Sequence, residues 1–318
     1  MKLDLYGFGY SIPEKVISND MLSEIMDTSD EWISKRTGIK ERRYSDVNTS
    51  TLALDAAKKA LKDSNINPKD IGLLICATIT PDSITPSVAC MLLDKLNLNG
   101  IMAFDINAAC SGFIYALNTA SSIMAANNIK YALVVGCEVL SKILDYSDRG
   151  TSILFGDGAG ALVIGAEKND ASFICHAKTD IDNVLYAPFI SLNDPLKNST
   201  VENHFLHMNG QEVYKFAITS CESIIKEILD KNNLSIDDIS YVIPHQANLR
   251  IINSFASKLG IDMNKIYVNL DKYGNTSAAS VAIALAEAKE KKLIKKGDKL
   301  LLVGFGAGLT WAATIIEY

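Results

Sequence analysis

Three side chains in this sequence have the types and settings that nucleophilic acyl chemistry uses: Cys110, His245 and Asn275. Cys110 sits in DINAACSGF (105–113), where an extended apolar stretch enters a small-residue turn and then the nearly uncharged run FIYALNTASSIMAA. That run predicts a helix buried on most sides, with Cys110 at its N-terminal end. Unpaired N–H groups and the partial positive charge of a helix N-terminus lower a thiol's pKa, so the expectation is an activated nucleophile. Cysteine is also a common buried hydrophobe, and position alone leaves a packing role open. His245 follows the apolar run ISYVI and Pro244, where a strand delivers a side chain to a cleft. Asn275 lies in YGNTSAAS, where Asn beside Gly is by itself ordinary turn chemistry. His204 and His207 have an HxxH spacing, but no Cys or carboxylate cluster accompanies them and no metal site is expected.

The elements that must position these residues come from a duplication. LKDSNINPKDIGLLI (61–75) aligns with LDKNNLSIDDISYVI (229–243), a separation of 168 residues (229 against 61). The same separation places FDINAACSGFIYAL (104–117) on KYGNTSAASVAIAL (272–285) and ALVVG (132–136) on LLLVG (300–304). Beyond these blocks the register changes: FGDGAGALVI from Phe155 matches FGAGLTWAAT from Phe305, so the first copy carries about 18 additional residues between Gly136 and Phe155, Arg149 among them. Apolar strand-like runs such as IGLLICATIT (71–80) alternate with helical patterns, which predicts an α/β fold of two homologous halves, 1–170 and 171–318. In this register Ala77 corresponds to His245, Asn107 to Asn275 and Cys110 to Ala278. The nucleophile is thus expected in one copy and its polar partners in the other, meeting at the carboxyl ends of the strands.

Two Gly-rich runs, FGDGAGA (155–161) and GFGAGLTW (304–311), resemble nucleotide loops only superficially, because each precedes an apolar strand rather than a helix. The functional expectation is that the backbone N–H of Gly306 joins that of Cys110 in an oxyanion hole. The polar stretch 19–48 reads as a short helix followed by an exposed charged loop around Trp32.

Composition excludes several classes. The chain has 318 residues, 48% hydrophobic and 21% charged, so it can bury a large core. A net charge of −6 offers no global field for nucleic acid. Its six cysteines are scattered without a CxxC pair, which points to a reducing cytoplasm rather than a disulfide framework. No signal peptide and no run of ~18 apolar residues is evident, so neither secretion nor a membrane span is expected.

Taken together, DINAACSGF, PHQANLRII (244–252), YGNTSAAS, EWISKRTGI (31–39), DRGTSILFGDGAGA and GFGAGLTW resemble the motifs of β-ketoacyl-acyl carrier protein synthase III, in the thiolase superfamily. The resemblance covers nearly the whole chain. It implies a duplicated five-layered α-β-α-β-α fold, a homodimer, and a Cys-His-Asn triad at Cys110, His245 and Asn275. It implies an acyl-CoA primer and malonyl-acyl carrier protein as substrates, with no cofactor. Coenzyme A would lie in a tunnel at Trp32, Arg36 and Arg149, with Thr28 and Asn248 along its wall. Arg250, Lys215 and Lys258 are the candidates for docking the acidic carrier protein. Where some members carry a Phe beside the primer pocket, this chain has Thr85, so longer or branched primers are an expectation beside acetyl. A ketosynthase or acyltransferase of secondary metabolism, and a non-catalytic paralogue, are the alternatives. A papain-like hydrolase shares the residue types but not their order or the duplication.

Overall fold

The computed structural model describes residues 2–188 and 205–318. In chain order its main strands are β1 (Lys2–Ser11), β2 (Ile71–Ala77), β3 (Met102–Ile106), β4 (Tyr131–Glu138), β5 (Gly158–Asp170), β6 (Ser172–Ala177), β7 (Tyr241–Pro244), β8 (Lys299–Gly306) and β9 (Thr310–Glu317). Its main helices are α1 (Asp30–Thr37), α2 (Thr49–Ser64), α3 (Gly112–Asn127), α4 (Gly210–Lys231), α5 (Leu249–Leu259) and α6 (Ala279–Glu290). One sheet has the order β1-β5-β4-β2-β3 and the other β7-β8-β9-β6. In each, a parallel core is flanked by an antiparallel pair: β2 runs parallel to β3 and β4, and β7 to β8, whereas β5 and β9 reverse direction. The place that β3 fills in the first sheet is reduced in the second to a bridge between Val242 and Ile266.

The order of layers follows from which faces are apolar. Helices α3 and α6 lie between the two sheets, and their side chains share one core with the inner faces of both, including Leu73, Ile75, Phe113, Leu285, Leu300 and Leu302. A helix covered on both sides must be largely apolar around its circumference, as the Ala-rich sequence of α3 is and as that of α6 is up to Glu287. Helix α2 covers the outer face of the first sheet, and α4 and α5 that of the second. This is the five-layered α-β-α-β-α arrangement that the family resemblance implied.

The internal register is kept closely. Strand β4 starts at Tyr131 and β8 at Lys299, again 168 residues apart, and both are eight residues long. The turns that enter the two central helices match as well: Ala109 and Ser277, the same distance apart, are both left-handed, at φ +45° and +46°. Each of these turns is held by the asparagine two residues before it. Asn107 Oδ1 accepts from Ala109 N–H (3.3 Å) and Asn275 Oδ1 from Ser277 N–H (2.8 Å). Two non-glycine residues in this conformation cost energy that the surrounding packing must offset.

The region 19–48 departs from the expected helix and exposed loop. It holds two helices, Asn19–Ser23 and α1, followed by a short strand, Glu41–Arg43, that pairs with Val16–Ser18. Local signals explain α1: the Ser29 side chain accepts from Trp32 N–H at its start, acids occupy its first turn, and Gly38 closes it at φ +80°. Arg42 is fully buried, donating to the carbonyls of Ile17 (3.1 Å) and Ile153 (2.8 Å), so the stretch is anchored in the fold although most of its other charges are exposed. No helix among the described residues is long and apolar enough to cross a membrane.

Candidate active site

Cys110, His245 and Asn275 line one cavity of ≈ 640 Å³ whose wall also includes Gly306, Asn248, Arg250, Trp32 and Arg36. Each reaches it from an element end. Cys110 is in the tight turn Ala109–Ser111 that leads into α3. His245 follows β7, its backbone N–H bonded to Val303 O of β8 (2.7 Å). Asn275 is clamped where the additional segment of the first half meets the FGDGAGA run: its N–H donates to Leu154 O (2.8 Å) and its carbonyl accepts from Gly156 N–H (3.0 Å). Because Asn275 Oδ1 is occupied by Ser277 N–H, its amide Nδ2 is the end left to act as a donor.

Gly306 ends β8 against the Cys110 turn. A Cβ there would lie 2.7 Å from Cys110 N and 2.9 Å from Cys110 Cβ, so no side chain fits without displacing Cys110.

The electrostatics correct one expectation. Burial pushes the Cys110 thiol up to about 12 instead of down. A helix N-terminus supplies at most ~2 kcal/mol, or about 1.5 pH units, which full desolvation outweighs. Burial likewise drives His245 down to about 3, so its imidazole is neutral at physiological pH. The resting site thus holds a thiol and a neutral imidazole, not the thiolate–imidazolium pair of papain-like enzymes. Alkylation of Cys110 by a small haloacetamide should accordingly rise about tenfold per pH unit through pH 9. A rate that levels off below pH 8 would show a much more acidic thiol.

Glu138 was not singled out by sequence reasoning, although it is a lone acid closing the apolar strand YALVVGCE. It is fully buried and accepts from the Thr78 hydroxyl, the Ile79 and Thr80 N–H groups (all 3.1 Å) and the Thr80 hydroxyl. Burial nevertheless raises its pKa to about 7. Through these bonds it fixes the loop after β2, which carries Ile79 into the cavity wall. Ser280 was missed too; its hydroxyl lies 2.6 Å from His245 Nδ1.

At the cavity rim the Arg36 guanidinium lies 4.3 Å and that of Arg149 5.1 Å from the Trp32 ring centroid. Arg149 also bonds to the backbone and carboxylate of Asp27. Thr28 is nearby in sequence, half-buried with an unpartnered hydroxyl, but does not line the cavity. Asn248 lines it while capping α5 through Arg250 N–H (2.8 Å). Arg250 is exposed at the mouth, its Nε donating to Lys35 O. Lys215 and Lys258 are not part of this wall, and each is paired with a carboxylate, Glu212 (2.7 Å) and Glu222 (3.1 Å). Thr85 is exposed and lies outside the wall of the Cys110 cavity within the chain. Of the HxxH pair, His204 lies outside the described residues, while His207 stacks on Tyr186 at 4.9 Å. No group of three potential metal ligands exists among the described residues.

A duplicated α/β fold that joins a Cys from one half to a His and an Asn from the other defines a thiolase-like protein. Two family models match the chain: 3-oxoacyl-[acyl-carrier-protein] synthase III over residues 104–183 and the C-terminal model of that synthase over residues 229–318. The chain is 48% identical over 320 residues to the β-ketoacyl-[acyl-carrier-protein] synthase III of Clostridium acetobutylicum, covering 99% of this chain and 98% of that one. Among solved structures, the 3-oxoacyl-[acyl-carrier-protein] synthase III of Aquifex aeolicus superimposes with a TM-score of 0.93 at 43% identity, covering 99% of this chain and 100% of that one. The priming β-ketosynthase of the R1128 polyketide pathway superimposes with a TM-score of 0.92 at 30% identity, covering 99% and 96%. The chain belongs to the β-ketoacyl-[acyl-carrier-protein] synthase III family, and it is an acyltransferase.

Proposed function

We propose that this synthase performs the decarboxylative condensation of an acyl-CoA primer with malonyl-acyl carrier protein, giving a 3-oxoacyl-carrier protein and initiating fatty acid synthesis. The observation that supports the assignment of roles is that Cys110, His245 and Asn275, far apart in the chain, line a single cavity. The identities of 48% and 43% are to β-ketoacyl- and 3-oxoacyl-[acyl-carrier-protein] synthases III and the 30% is to a polyketide priming enzyme, which supports the fatty-acid reading over the polyketide one.

In the first stage the Cys110 sulfur attacks the thioester carbonyl, the tetrahedral oxyanion is held by the N–H groups of Cys110 and Gly306, and CoA leaves with the thiol proton. In the second, malonyl-carrier protein loses carbon dioxide, and negative charge develops on its thioester oxygen. That enolate needs donors rather than a strong base. A neutral His245 with a proton on Nε2 and the Asn275 Nδ2 amide are suited to it. The carbanion then attacks acyl-Cys110 and releases the thiolate. The CoA adenine would stack on Trp32 between Arg36 and Arg149, with Thr28 and Asn248 along the path.

A homodimer is part of this reading. Thr85, beside the exposed Ile84, faces outward next to a second cavity that shares Ile79, Ala109 and Ala307 with the first. In that arrangement Thr85 reaches a primer pocket only in a second copy. Six free cysteines fit a cytoplasmic enzyme.

Incubation with acetyl-CoA, read by intact mass, should give an adduct that Cys110→Ser abolishes, and added malonyl-carrier protein should consume it. Hydrolysis alone would indicate a thioesterase, and no adduct would defeat the reading. Of the three candidates for docking the carrier, Arg250 is the one exposed at the cavity mouth, whereas Lys215 and Lys258 are already paired. Arg250→Glu should raise the apparent KM for malonyl-carrier protein several-fold and spare acylation; an unchanged KM would place the docking surface elsewhere.

A further inference from the structure

We propose that Ser280 is a positioning residue that fixes His245 in the tautomer carrying its proton on Nε2, the form that can donate into the cavity. The inference comes from hydrogen-bond accounting rather than from proximity alone. Ser280 is in the first turn of α6 and buried, so its hydroxyl is shielded from bulk solvent. Among the described residues that hydroxyl has two partners: His245 Nδ1 at 2.6 Å and the backbone N–H of Gln246 at 3.4 Å. The second is a donor and can only give a proton to Ser280 Oγ. The sole acceptor left for the Ser280 O–H is therefore His245 Nδ1.

The opposite tautomer fails the same test. If Nδ1 carried the proton and donated to Ser280 Oγ, the serine would accept twice and its own O–H would be a buried donor without an acceptor. Leaving such a group unpaired is strongly disfavoured, and nearly all buried donors in folded proteins are paired. With Nδ1 as acceptor, a neutral ring must hold its proton on Nε2. That nitrogen has no protein partner among the described residues, and His245 lines the cavity with Cys110 and Asn275.

The serine can do this because the loop around His245 is itself pinned. The Gln246 side chain donates to Pro244 O (2.8 Å) and Tyr267 O (3.0 Å) and accepts from Asn269 N–H (3.0 Å). Asn269 in turn donates to Glu287 (2.8 Å), which lies on the same helix as Ser280. The His245 backbone and the Ser280 hydroxyl are thereby held in one frame, and the ring edge-packs on Phe305 at 5.2 Å.

The consequence for the reaction rests on the condensation proposed above. An imidazole in the wrong tautomer turns a lone pair toward a developing enolate, replacing an attraction with a repulsion. Acylation, in which the backbone N–H groups hold the oxyanion, does not need that proton.

The test is 15N NMR of the full-length protein labelled on histidine, with the signals of His245 identified by their loss in His245→Gln. The wild type should show a protonated Nε2 and a bare Nδ1 throughout pH 5–8. Ser280→Ala should lose this exclusive tautomer and slow condensation by a factor approaching ~10², the cost of one oxyanion donor, while acyl-Cys110 still forms. Ser280→Thr, which keeps the hydroxyl, should restore both readouts. A wild-type spectrum with the proton on Nδ1, or a Ser280→Ala spectrum identical to wild type, overturns the proposal. The wild-type spectrum decides even if Ser280→Ala does not fold. If the wild type forms no acyl-Cys110, the functional reading fails, while the tautomer is still read directly from the spectrum.

Discussion

Replacing His245 or Asn275 with alanine should slow condensation by about 10²–10³ while acyl-Cys110 formation stays close to wild type. The separation follows from where charge develops. In acylation the oxyanion forms on the primer carbonyl, opposite the backbone N–H groups of Cys110 and Gly306. In decarboxylation it forms on the malonyl thioester oxygen, and the two donors available are a neutral imidazole and an amide whose oxygen is already occupied. Each donor removed leaves that charge short of ~2.7–4 kcal/mol of stabilisation. Because His245 is neutral down to about pH 3, the condensation rate should show no inflection from its protonation between pH 5 and 8. Single-turnover measurement of the two stages decides the matter. Equal losses in both would mean that these side chains act on the thiol instead of the enolate.

Gly306→Ala should cost nearly as much, and in the other stage. The added methyl would sit 2.7 Å from Cys110 N and 2.9 Å from its Cβ, far inside contact distance. Neither side yields easily: Gly306 is the last residue of a strand buried from Leu300 onward and is paired with Thr310, and Cys110 is in a turn already strained at Ala109. Overpacking of this kind costs about 1–3 kcal/mol, and a displacement near 1 Å at a reacting atom can cost 10²-fold in rate. The expected result is a lower melting temperature together with an acylation rate reduced by about 10². Wild-type values for both would show that β8 does not crowd the nucleophile.

The two substitutions probe different kinds of information in the chain. The Cys, His and Asn were legible because their chemistry is carried by residue type and because the repeat placed them on equivalent element ends. The 168-residue register survives in the structure down to the left-handed pair Ala109 and Ser277. Such a register can be read without coordinates, since strand and helix periods are local properties and duplication copies them together. Less legible was the region 19–48, where charge density suggested solvent. Arg42 shows why: its guanidinium is buried because two carbonyls distant in sequence accept its protons, and no local pattern announces distant carbonyls.

By itself, then, the sequence pointed to the architecture and to three side chains, Cys110, His245 and Asn275, that the structure places on one cavity. Tertiary structure decided their states. Whether Cys110 is a thiolate depends on the competition between a helix terminus and burial, and burial is a property of the packed molecule. Which nitrogen of His245 bears the proton depends on Ser280, 35 residues further on and brought within 2.6 Å only when α6 enters the central layer. Residue types set what a side chain can do. Solvent exclusion and the partners left for each proton set what it does, and both arise only when the two halves close on one another.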